Sequence, residues 1–423
     1  MLRPARTWRT AAVLGVAGLT LAACGGGDED PATPEDTGTA AGGECAGDGT
    51  LTIGTLLPQT GSLAFLGPPE FAAVELAVNE INEAGGVLGQ DVVKIDGDSG
   101  DTTTDIASQT VDRLLGEDVD TIIGAASSGV SFTVIDAITG AGVMQFSPAN
   151  TSPNFTEYED GGLYFRTAPS DVLQGRVMGN LLISDGHLDV GILALDDAYG
   201  TGLAENVEIS VTDGGGTITE SIIYNPQAAT FSAEVAQMAA SNPEAIVLIG
   251  FEETKKMIPE MIAQGIGPQE VPLYLVDGNT ADYSADFQPG TLEGTKGTLP
   301  GSETTGDFRE RLLEVDPALT EFSYAPESYD AAILIALAAV AAECDTGEAM
   351  SESMVEITKD GEKCTTFADC KELLEAGEDI DFDGLSGPVE FSDVGDPTQA
   401  TIGIYQYGPD NTYTSLEYVS GEI

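Results

Sequence analysis

The sequence has few basic side chains. It contains 15 lysine and arginine residues against 71 aspartate and glutamate residues, and its formal net charge is −56. Nucleic-acid binding depends mainly on lysine and arginine side chains that neutralise phosphates, so this charge excludes a nucleic-acid partner. A polybasic attachment to anionic lipids is excluded for the same reason.

Histidine occurs only once. His187 lies between Gly186 and Leu188 in a predicted turn. A histidine-rich zinc site therefore cannot form, and a Ser-His-Asp triad would have to use this one residue. The sequence also lacks the G-x-S-x-G motif that carries the nucleophile of many serine hydrolases. No cofactor and no bound metal are expected, and these absences disfavour an envelope hydrolase.

Residues 1–23 have the pattern of an export signal. Three arginines (Arg3, Arg6 and Arg9) precede an apolar run over 11–23 that is too short to span a bilayer. The run ends in Leu-Ala-Ala-Cys at 21–24, which resembles a bacterial lipobox. We expect lipidation of Cys24, with membrane attachment through that lipid only. A freely secreted protein is the alternative.

Residues 24–47 are predicted to be the lipidated cysteine and a disordered tether. The segment consists mostly of glycine, proline, threonine and acidic residues, with almost no large apolar side chain. Such a composition cannot bury enough apolar surface to fold. The protein is therefore expected to be extracytoplasmic and anchored to the cell membrane, with its folded part beyond the tether.

Four further cysteines remain after Cys24: Cys45, Cys344, Cys364 and Cys370. Export permits disulfides, an even count fits two of them, and three connectivities are open. A zinc site built from all four cysteines is the alternative, but no two of them have the C-x-x-C spacing. Disulfides are favoured.

Short apolar strands alternate with helical patterns along the chain. The first series predicts strands at 51–57, 91–95, 120–124 and 143–146 and helices at 69–83, 103–115 and 128–139. The second series predicts strands at 190–195, 218–224, 245–249 and 273–276 and helices at 202–212, 231–240 and 254–264. This alternation is typical of parallel sheets covered by helices on both faces. Two such series predict an α/β protein with two similar lobes.

The pattern changes after residue 304. Helices are predicted at 308–315, 327–343 and 367–376, and strands at 389–391, 401–406 and 413–418. The helix at 327–343 is apolar nearly all round, so we expect it to be buried within a lobe. The C-terminal strands alternate like antiparallel edge strands.

Six segments, in one order, resemble the leucine/isoleucine/valine-binding type of periplasmic-binding protein, the solute receptors of ABC importers. They are LLPQTGSLAFLGPPEFAAVELAVNEINEAGGVLG (56–89), IGAASSGVS (123–131), QFSPANTSP (145–153), YFRTAPSDVLQG (164–175), DDAYGTGLAE (196–205) and APESYDAAILIA (325–336). The resemblance covers about residues 50–408.

The resemblance implies a type I periplasmic-binding protein fold, with two Rossmann-like lobes joined by three hinge crossovers. The crossovers would lie near 167–170, 295–298 and 384–388. Lobe 1 would combine residues 48–168 with 298–386, and lobe 2 would combine 169–297 with 387–423. The lobes would close around an amino acid of the branched-chain type or a related small polar solute.

The partners implied by the resemblance are this solute and the permease and ATPase subunits of an ABC importer, with the protein itself a monomer. A lipoprotein that senses a ligand for a signalling partner is the other function that the sequence leaves open.

The start of the predicted helix at 128–139 is the first candidate ligand contact. Ser127 and Ser128 place hydroxyls and free backbone N–H groups there, which suit a carboxylate. Capping of the helix is the alternative role for either serine. In the resemblance, Ser128 matches a hydroxyl that holds the ligand carboxylate. Ala149 matches a backbone carbonyl and Thr151 a second hydroxyl, and Asn150 between them could be a turn residue.

The second lobe supplies the other candidate contacts. Asp277 matches an acidic position that pairs with an α-ammonium group, although the usual residue there is glutamate, and an ordinary turn at 277–279 is the alternative. Tyr199 and Phe251 match aromatic positions that close over the ligand, and Phe251 replaces a tyrosine. Leu66 lies where the family can carry an aromatic residue.

The predicted lobe also suggests which cysteines pair. Cys45 precedes the first strand, at the edge of the sheet far from the cleft. The helix at 327–343 should run away from the cleft, which brings Cys344 to the same edge. We therefore predict Cys45–Cys344 and, across a short loop, Cys364–Cys370.

One calcium-binding pattern is set aside. Asp379, Asp381, Asp383 and Glu390 fit the spacing of an EF-hand loop. Pro388 falls inside the loop, and the residues after it have a strand pattern where an EF-hand has a helix.

Overall fold

The computed structural model describes residues 45–423, which form one compact unit. The predicted export signal, the lipidation of Cys24 and all but the last residues of the tether lie outside the described residues.

The unit begins with a five-stranded parallel sheet. Its strands have the spatial order β2-β1-β3-β4-β5 and are β1 (Thr52–Leu56), β2 (Val93–Ile95), β3 (Thr121–Gly124), β4 (Met144–Ser147) and β5 (Tyr164–Arg166). The connecting helices are α1 (Gly67–Glu83), α2 (Ile106–Gly116) and α3 (Ser128–Thr139). Every residue of β3 and β4 is buried, as expected for apolar strands covered on both faces.

A second parallel series follows. Its helices are α4 (Asp171–Ser184), α5 (Ala198–Asp213), α6 (Ser232–Ser241) and α7 (Thr254–Ala263). Its strands are β6 (Asp189–Leu195), β7 (Thr217–Tyr224), β8 (Ala245–Ile249), β9 (Leu273–Leu275) and β10 (Lys296–Pro300). All five residues of β8 are fully buried, which explains their continuous apolar sequence.

The next elements are mainly helical: α8 (Gly306–Val315), α9 (Ala325–Ala342), α10 (Gly347–Met354), β11 (Glu362–Cys364), α11 (Phe367–Glu375) and β12 (Ile380–Phe382). The apolar side chains of α9 share one core with α1 and with the first sheet. Among the described residues, α9 alone is long and apolar enough to cross a membrane, but 83% of it is buried inside the protein. It is a core helix, as predicted.

The chain ends in an antiparallel hairpin, β13 (Gln399–Tyr407) and β14 (Tyr413–Glu422). The hairpin pairs with β10 and completes a seven-stranded sheet in the order β14-β13-β10-β9-β8-β6-β7. The predicted α/β architecture with parallel sheets is therefore confirmed. Strand β10 overlaps the second predicted crossover, at 295–298, and it pairs within the second sheet. The predicted boundaries of the two lobes stay a prediction.

Two disulfides join the four described cysteines. Cys45 pairs with Cys344, with 5.4 Å between their Cα atoms, and Cys364 pairs with Cys370, with 5.3 Å between theirs. These are the two predicted pairs. Helix α9 ends next to Cys344, so its C-terminus lies at the edge of the first sheet where β1 begins.

One expectation about local structure was wrong. The segment 389–391 forms only an isolated bridge, between Phe391 and Pro397, rather than a strand. Helix α4 was not predicted, because Gly175 and Gly179 lower its helix propensity. These glycines let α4 approach α5 closely: a Cβ atom at Gly175 would lie 2.5 Å from Asn206 Cβ, and one at Gly179 would lie 2.4 Å from Ser210 Cβ.

Candidate functional site

A small cavity lies at the carboxyl ends of strands from both sheets, where open α/β sheets bind ligands. It is narrow, with room for about one water molecule between its lining atoms, so a larger ligand requires these groups to move apart. The lining residues are all buried and are Leu63, Leu66, Ala126, Ser127, Ser128, Ala149, Thr151, Tyr199, Phe251, Asp277, Gly278 and Tyr324. The cavity is thus enclosed by groups from both halves of the chain.

Eight of the nine predicted ligand residues line this cavity. Asn150 does not, although its neighbours Ala149 and Thr151 do. The Asn150 side chain is fully buried, and its amide donates to the carbonyl oxygens of Ala125 and Ala126, at 2.9 Å each. It holds two loops together, and its predicted ligand contact stays a prediction.

The two serines at the start of α3 have different hydrogen bonds. Ser127 is the N-cap residue, and its hydroxyl accepts from the Val130 N–H at 3.4 Å. Ser128 Oγ accepts from the Ser152 N–H at 3.3 Å. Because a hydroxyl has one donor hydrogen as well as its acceptor lone pairs, Ser128 retains a hydrogen for a group in the cavity. Ser127 caps the helix and, like Ser128, still has its hydroxyl hydrogen to donate.

The loop after β4 positions Ala149 and Thr151. Ser147 Oγ accepts from the N–H groups of Ala149 at 3.3 Å and Asn150 at 2.9 Å, which shapes the turn. Thr151 is 1% exposed, and its Oγ1 lies 2.9 Å from an oxygen of Asp171 at the start of α4. The hydroxyl thus already has one partner outside the cavity.

Asp277 lies in a 3₁₀ turn directly after β9 and is 5% exposed. Its carboxylate accepts from the Tyr199 hydroxyl at 2.6 Å, the Gln174 amide at 2.9 Å and the Tyr324 hydroxyl at 2.7 Å. Burial raises the pKa of Asp277, and these hydrogen bonds act in the opposite direction.

No lysine or arginine of residues 45–423 forms a salt bridge with Asp277. This carboxylate is therefore buried at the cavity with hydrogen-bond donors around it but with no cationic partner. A cationic group in the cavity would supply the missing charge.

Two aromatic rings form one wall of the cavity. The rings of Tyr199 and Phe251 are stacked, with 5.4 Å between their centroids. Gly278 leaves room for this wall, because a Cβ atom there would lie 2.8 Å from the Phe251 ring. Together with Leu63 and Leu66, the rings make this side of the cavity apolar.

Four lining residues were not predicted: Leu63, Ala126, Gly278 and Tyr324. Three of them adjoin predicted positions in the sequence or lie on the same loop. Tyr324 has no such signal, because it comes from the segment between α8 and α9 and has a left-handed backbone conformation, with φ of 59°. The nearby Tyr329 is a core residue that packs against Phe308.

The EF-hand spacing corresponds to a different local structure. Asp381 lies in strand β12, and Lys363 Nζ lies 3.0 Å from Asp381 and 2.9 Å from Asp383. A lysine therefore neutralises two of the carboxylates that the pattern would assign to calcium.

The chain is similar to known binding proteins. A sequence model of the family described as periplasmic binding protein matches residues 50–410. The chain is 27% identical over 354 residues to the chemotactic signal transduction system substrate-binding protein BasB of Halobacterium salinarum, which covers 81% of this chain and 83% of BasB. It is 24% identical over 364 residues to the Leu/Ile/Val-binding protein BraC3 of Rhizobium johnstonii, which covers 84% of this chain and 91% of BraC3.

Its fold is also similar to a solved structure. The branched-chain amino acid transporter substrate binding protein LivJ of Streptococcus pneumoniae, in complex with isoleucine, has a TM-score of 0.72 and 21% identity and covers 88% of this chain and 100% of LivJ. The match of the family model to most of the chain shows that this protein belongs to the periplasmic binding protein family, whose members bind solutes outside the cytoplasm.

Proposed function

We propose that this protein is the solute-binding component of an ABC importer and that it binds a branched-chain amino acid or a related small polar solute in the enclosed cavity. The observation that carries the proposal is the position of Asp277, a buried carboxylate without a cationic partner, in the same cavity as the Ser128 and Thr151 hydroxyls. An α-amino acid has the complementary pair of charges.

The two kinds of polar group indicate how such a ligand is oriented. The start of α3 presents the Ser128 hydroxyl, and the first N–H groups of a helix have no partner within the helix. A carboxylate is stabilised there. The ammonium group would then face Asp277, and an aliphatic side chain would lie against Leu66 and Phe251. A small zwitterion with an apolar side chain satisfies all three regions.

The cavity does not favour catalysis. Its lining includes no cysteine, lysine or histidine. The single histidine, His187, instead lies beside Tyr274, with 6.0 Å between the ring centroids. Neither Ser127 nor Ser128 therefore shares the cavity with a histidine or lysine that could activate a serine nucleophile. We propose a binding protein that is not an enzyme.

The partners follow from this role. The permease and ATPase subunits of the importer would receive the solute, and the lipid on Cys24 would keep a monomeric receptor near the membrane. BraC3 is described as a Leu/Ile/Val-binding protein, which supports the solute class. BasB belongs to a chemotactic signal transduction system, and this similarity favours ligand sensing as the second candidate function.

Calorimetry and thermal unfolding with L-leucine, L-isoleucine and L-valine test the solute class. A ligand at about 1,000 times its Kd stabilises the folded state by about 4 kcal/mol. Asp277→Asn should weaken binding by at least tenfold, because the ammonium group loses its counter-charge.

Asp185→Asn is the matched control. Asp185 is the C-cap residue of α4, and it pairs with Lys296 outside the cavity. Its affinity should be unchanged. Binding that is equally strong in the wild type and in Asp277→Asn would contradict the proposed site. A strain that lacks the protein separates the two functions: loss of solute uptake indicates import, and loss of a response with normal uptake indicates sensing.

A further inference from the structure

Asp171 lies directly behind Thr151, at the first position of α4, and is fully buried. The Asp171 N–H donates to the Thr151 carbonyl oxygen at 2.7 Å, and Asp171 Oδ2 lies 2.9 Å from Thr151 Oγ1. Its other carboxyl oxygen, Oδ1, has no hydrogen-bond partner among the described residues. The backbone bond and the side-chain bond together fix the Thr151 hydroxyl between Asp171 and the cavity.

The charged groups around Asp171 do not balance. Asp277 and Asp197 face it with negative charge, and Arg166 is the positive group that faces it. The Arg166 guanidinium is already paired with Asp396, through bonds of 2.6 Å and 2.8 Å. The hydroxyls of Tyr199 and Tyr324 also face Asp171 and are neutral. Two buried carboxyl groups, those of Asp171 and Asp277, thus remain without a counter-ion, and such pairs retain a proton.

The hydrogen bonds indicate which of the two acids carries the proton. Asp277 accepts from two tyrosine hydroxyls and from the Gln174 amide, and these donors stabilise its ionised form. Asp171 has one side-chain partner and an unpaired oxygen. Burial, followed by the neighbouring charge of Asp277, raises the pKa of Asp171 well above its ordinary value, and the hydrogen bond with Thr151 and the charge of Arg166 act less strongly in the opposite direction.

We propose that Asp171 is a positioning residue, held as the neutral acid, which donates its proton to Thr151 Oγ1 and thereby directs the Thr151 hydroxyl hydrogen into the cavity toward the acidic group of the ligand. A threonine hydroxyl has one hydrogen to donate. If Asp171 were ionised, that hydrogen would point to Asp171, and Thr151 would present only lone pairs to a ligand carboxylate. The inference rests on the proposed function for the identity of the group that Thr151 meets.

Infrared spectroscopy of the protein without added ligand tests the protonation. The carbonyl stretch of a protonated carboxylic acid appears above the amide I band and is separate from that of a carboxylate. At pH 7, Asp171→Asn should lose one such band that the wild type has. Asp185→Asn should keep it, because Asp185 pairs with Lys296. No difference between the wild type and Asp171→Asn would overturn the proposal.

Binding of L-leucine as a function of pH tests the consequence for the ligand. The affinity of the wild type should fall over the pH range in which the band disappears, by about tenfold per pH unit once Asp171 is ionised. Asp171→Asn has an amide that replaces the neutral acid, so it should bind within about threefold of the wild type at pH 7 and lack this fall. Titration of the leucine amine affects both proteins equally.

Loss of the band without a matching fall in wild-type affinity would overturn the link to Thr151. If the carboxylic acid band persists up to the highest pH measured, the affinities of the wild type and of Asp171→Asn should change with pH in the same way. A difference between their pH profiles would then overturn the proposal. If L-leucine does not bind the wild type at all, the proposed function fails, whereas the infrared result still decides the protonation of Asp171.

Discussion

Replacement of Tyr324 by phenylalanine tests how the cavity opens to a ligand. The Tyr324 hydroxyl donates to Asp277 Oδ2 at 2.7 Å, and both residues are buried. Removal of this hydroxyl leaves a buried carboxylate oxygen without its partner. A hydrogen bond to a charged group contributes about 1.5–3 kcal/mol to stability, so the free energy of unfolding of Tyr324→Phe without added ligand should fall by about that amount.

The same substitution should strengthen binding. We expect a ligand ammonium group to take the place of the Tyr324 hydroxyl at Asp277 Oδ2, and in Tyr324→Phe there is no bond to break. Each 1.4 kcal/mol corresponds to a tenfold change in affinity. The lost bond therefore predicts an affinity for L-leucine about 10- to 100-fold higher than in the wild type, measured by calorimetry.

Tyr329→Phe is the matched control. The Tyr329 hydroxyl donates to Glu80, away from the cavity. Its removal should lower stability equally with and without L-leucine and leave the affinity unchanged. Tyr324→Phe could also lose as much stability at saturating L-leucine as it loses without ligand. That result would mean that the Tyr324–Asp277 bond persists in the complex, and it would refute the argument that the ligand ammonium group replaces this bond.

Three further predictions concern stability, each measured by urea unfolding. Gly179→Ala should lower it by about 1–3 kcal/mol, because the new Cβ atom would lie 2.4 Å from Ser210 Cβ. An equal loss in Gly116→Ala, where the new Cβ atom would have no neighbour within 4 Å, would contradict the packing argument. Removal of the Cys45–Cys344 disulfide, which spans 299 residues, should lower stability by up to about 4–5 kcal/mol. This loss should exceed that from removal of Cys364–Cys370, which spans 6 residues. The reverse order would disprove the argument from loop length. Burial raises the pKa of Glu327 from 4.5 to about 8, so its neutral form stabilises the fold at low pH and this contribution is lost as the pH rises from about 4.5 to 8. At pH 8, Glu327→Gln should therefore be more stable than the wild type, and it should lose less stability than the wild type between pH 5 and pH 8. Parallel plots of stability against pH for the two proteins would exclude this role of Glu327.

Most of the sheet architecture was predictable from local sequence. The apolar run of β8 and the helical pattern of α3 were predicted with the bounds that the structure has, because burial on both faces and a 3.6-residue period are properties of a few neighbouring residues. The same holds for the place of the cavity. The carboxyl ends of parallel strands lie at one edge of a sheet, so residues that follow β3 and β4 had to lie near one another. Asp277 follows β9 of the second sheet, and only the family resemblance predicted its place beside them.

The sequence by itself thus determined the parallel α/β architecture and, through its resemblance to a family, eight lining residues of the cavity. Only the tertiary structure decided how those residues are bonded. Tyr324 reaches Asp277 from a segment 47 residues away, and Asp171 reaches Thr151 from a helix whose glycines conceal it in the sequence. Asn150 turns from the cavity to hold Ala125 and Ala126. Hydrogen bonds of this kind depend on distances between side chains that are remote in sequence, and those distances exist only once the elements have packed.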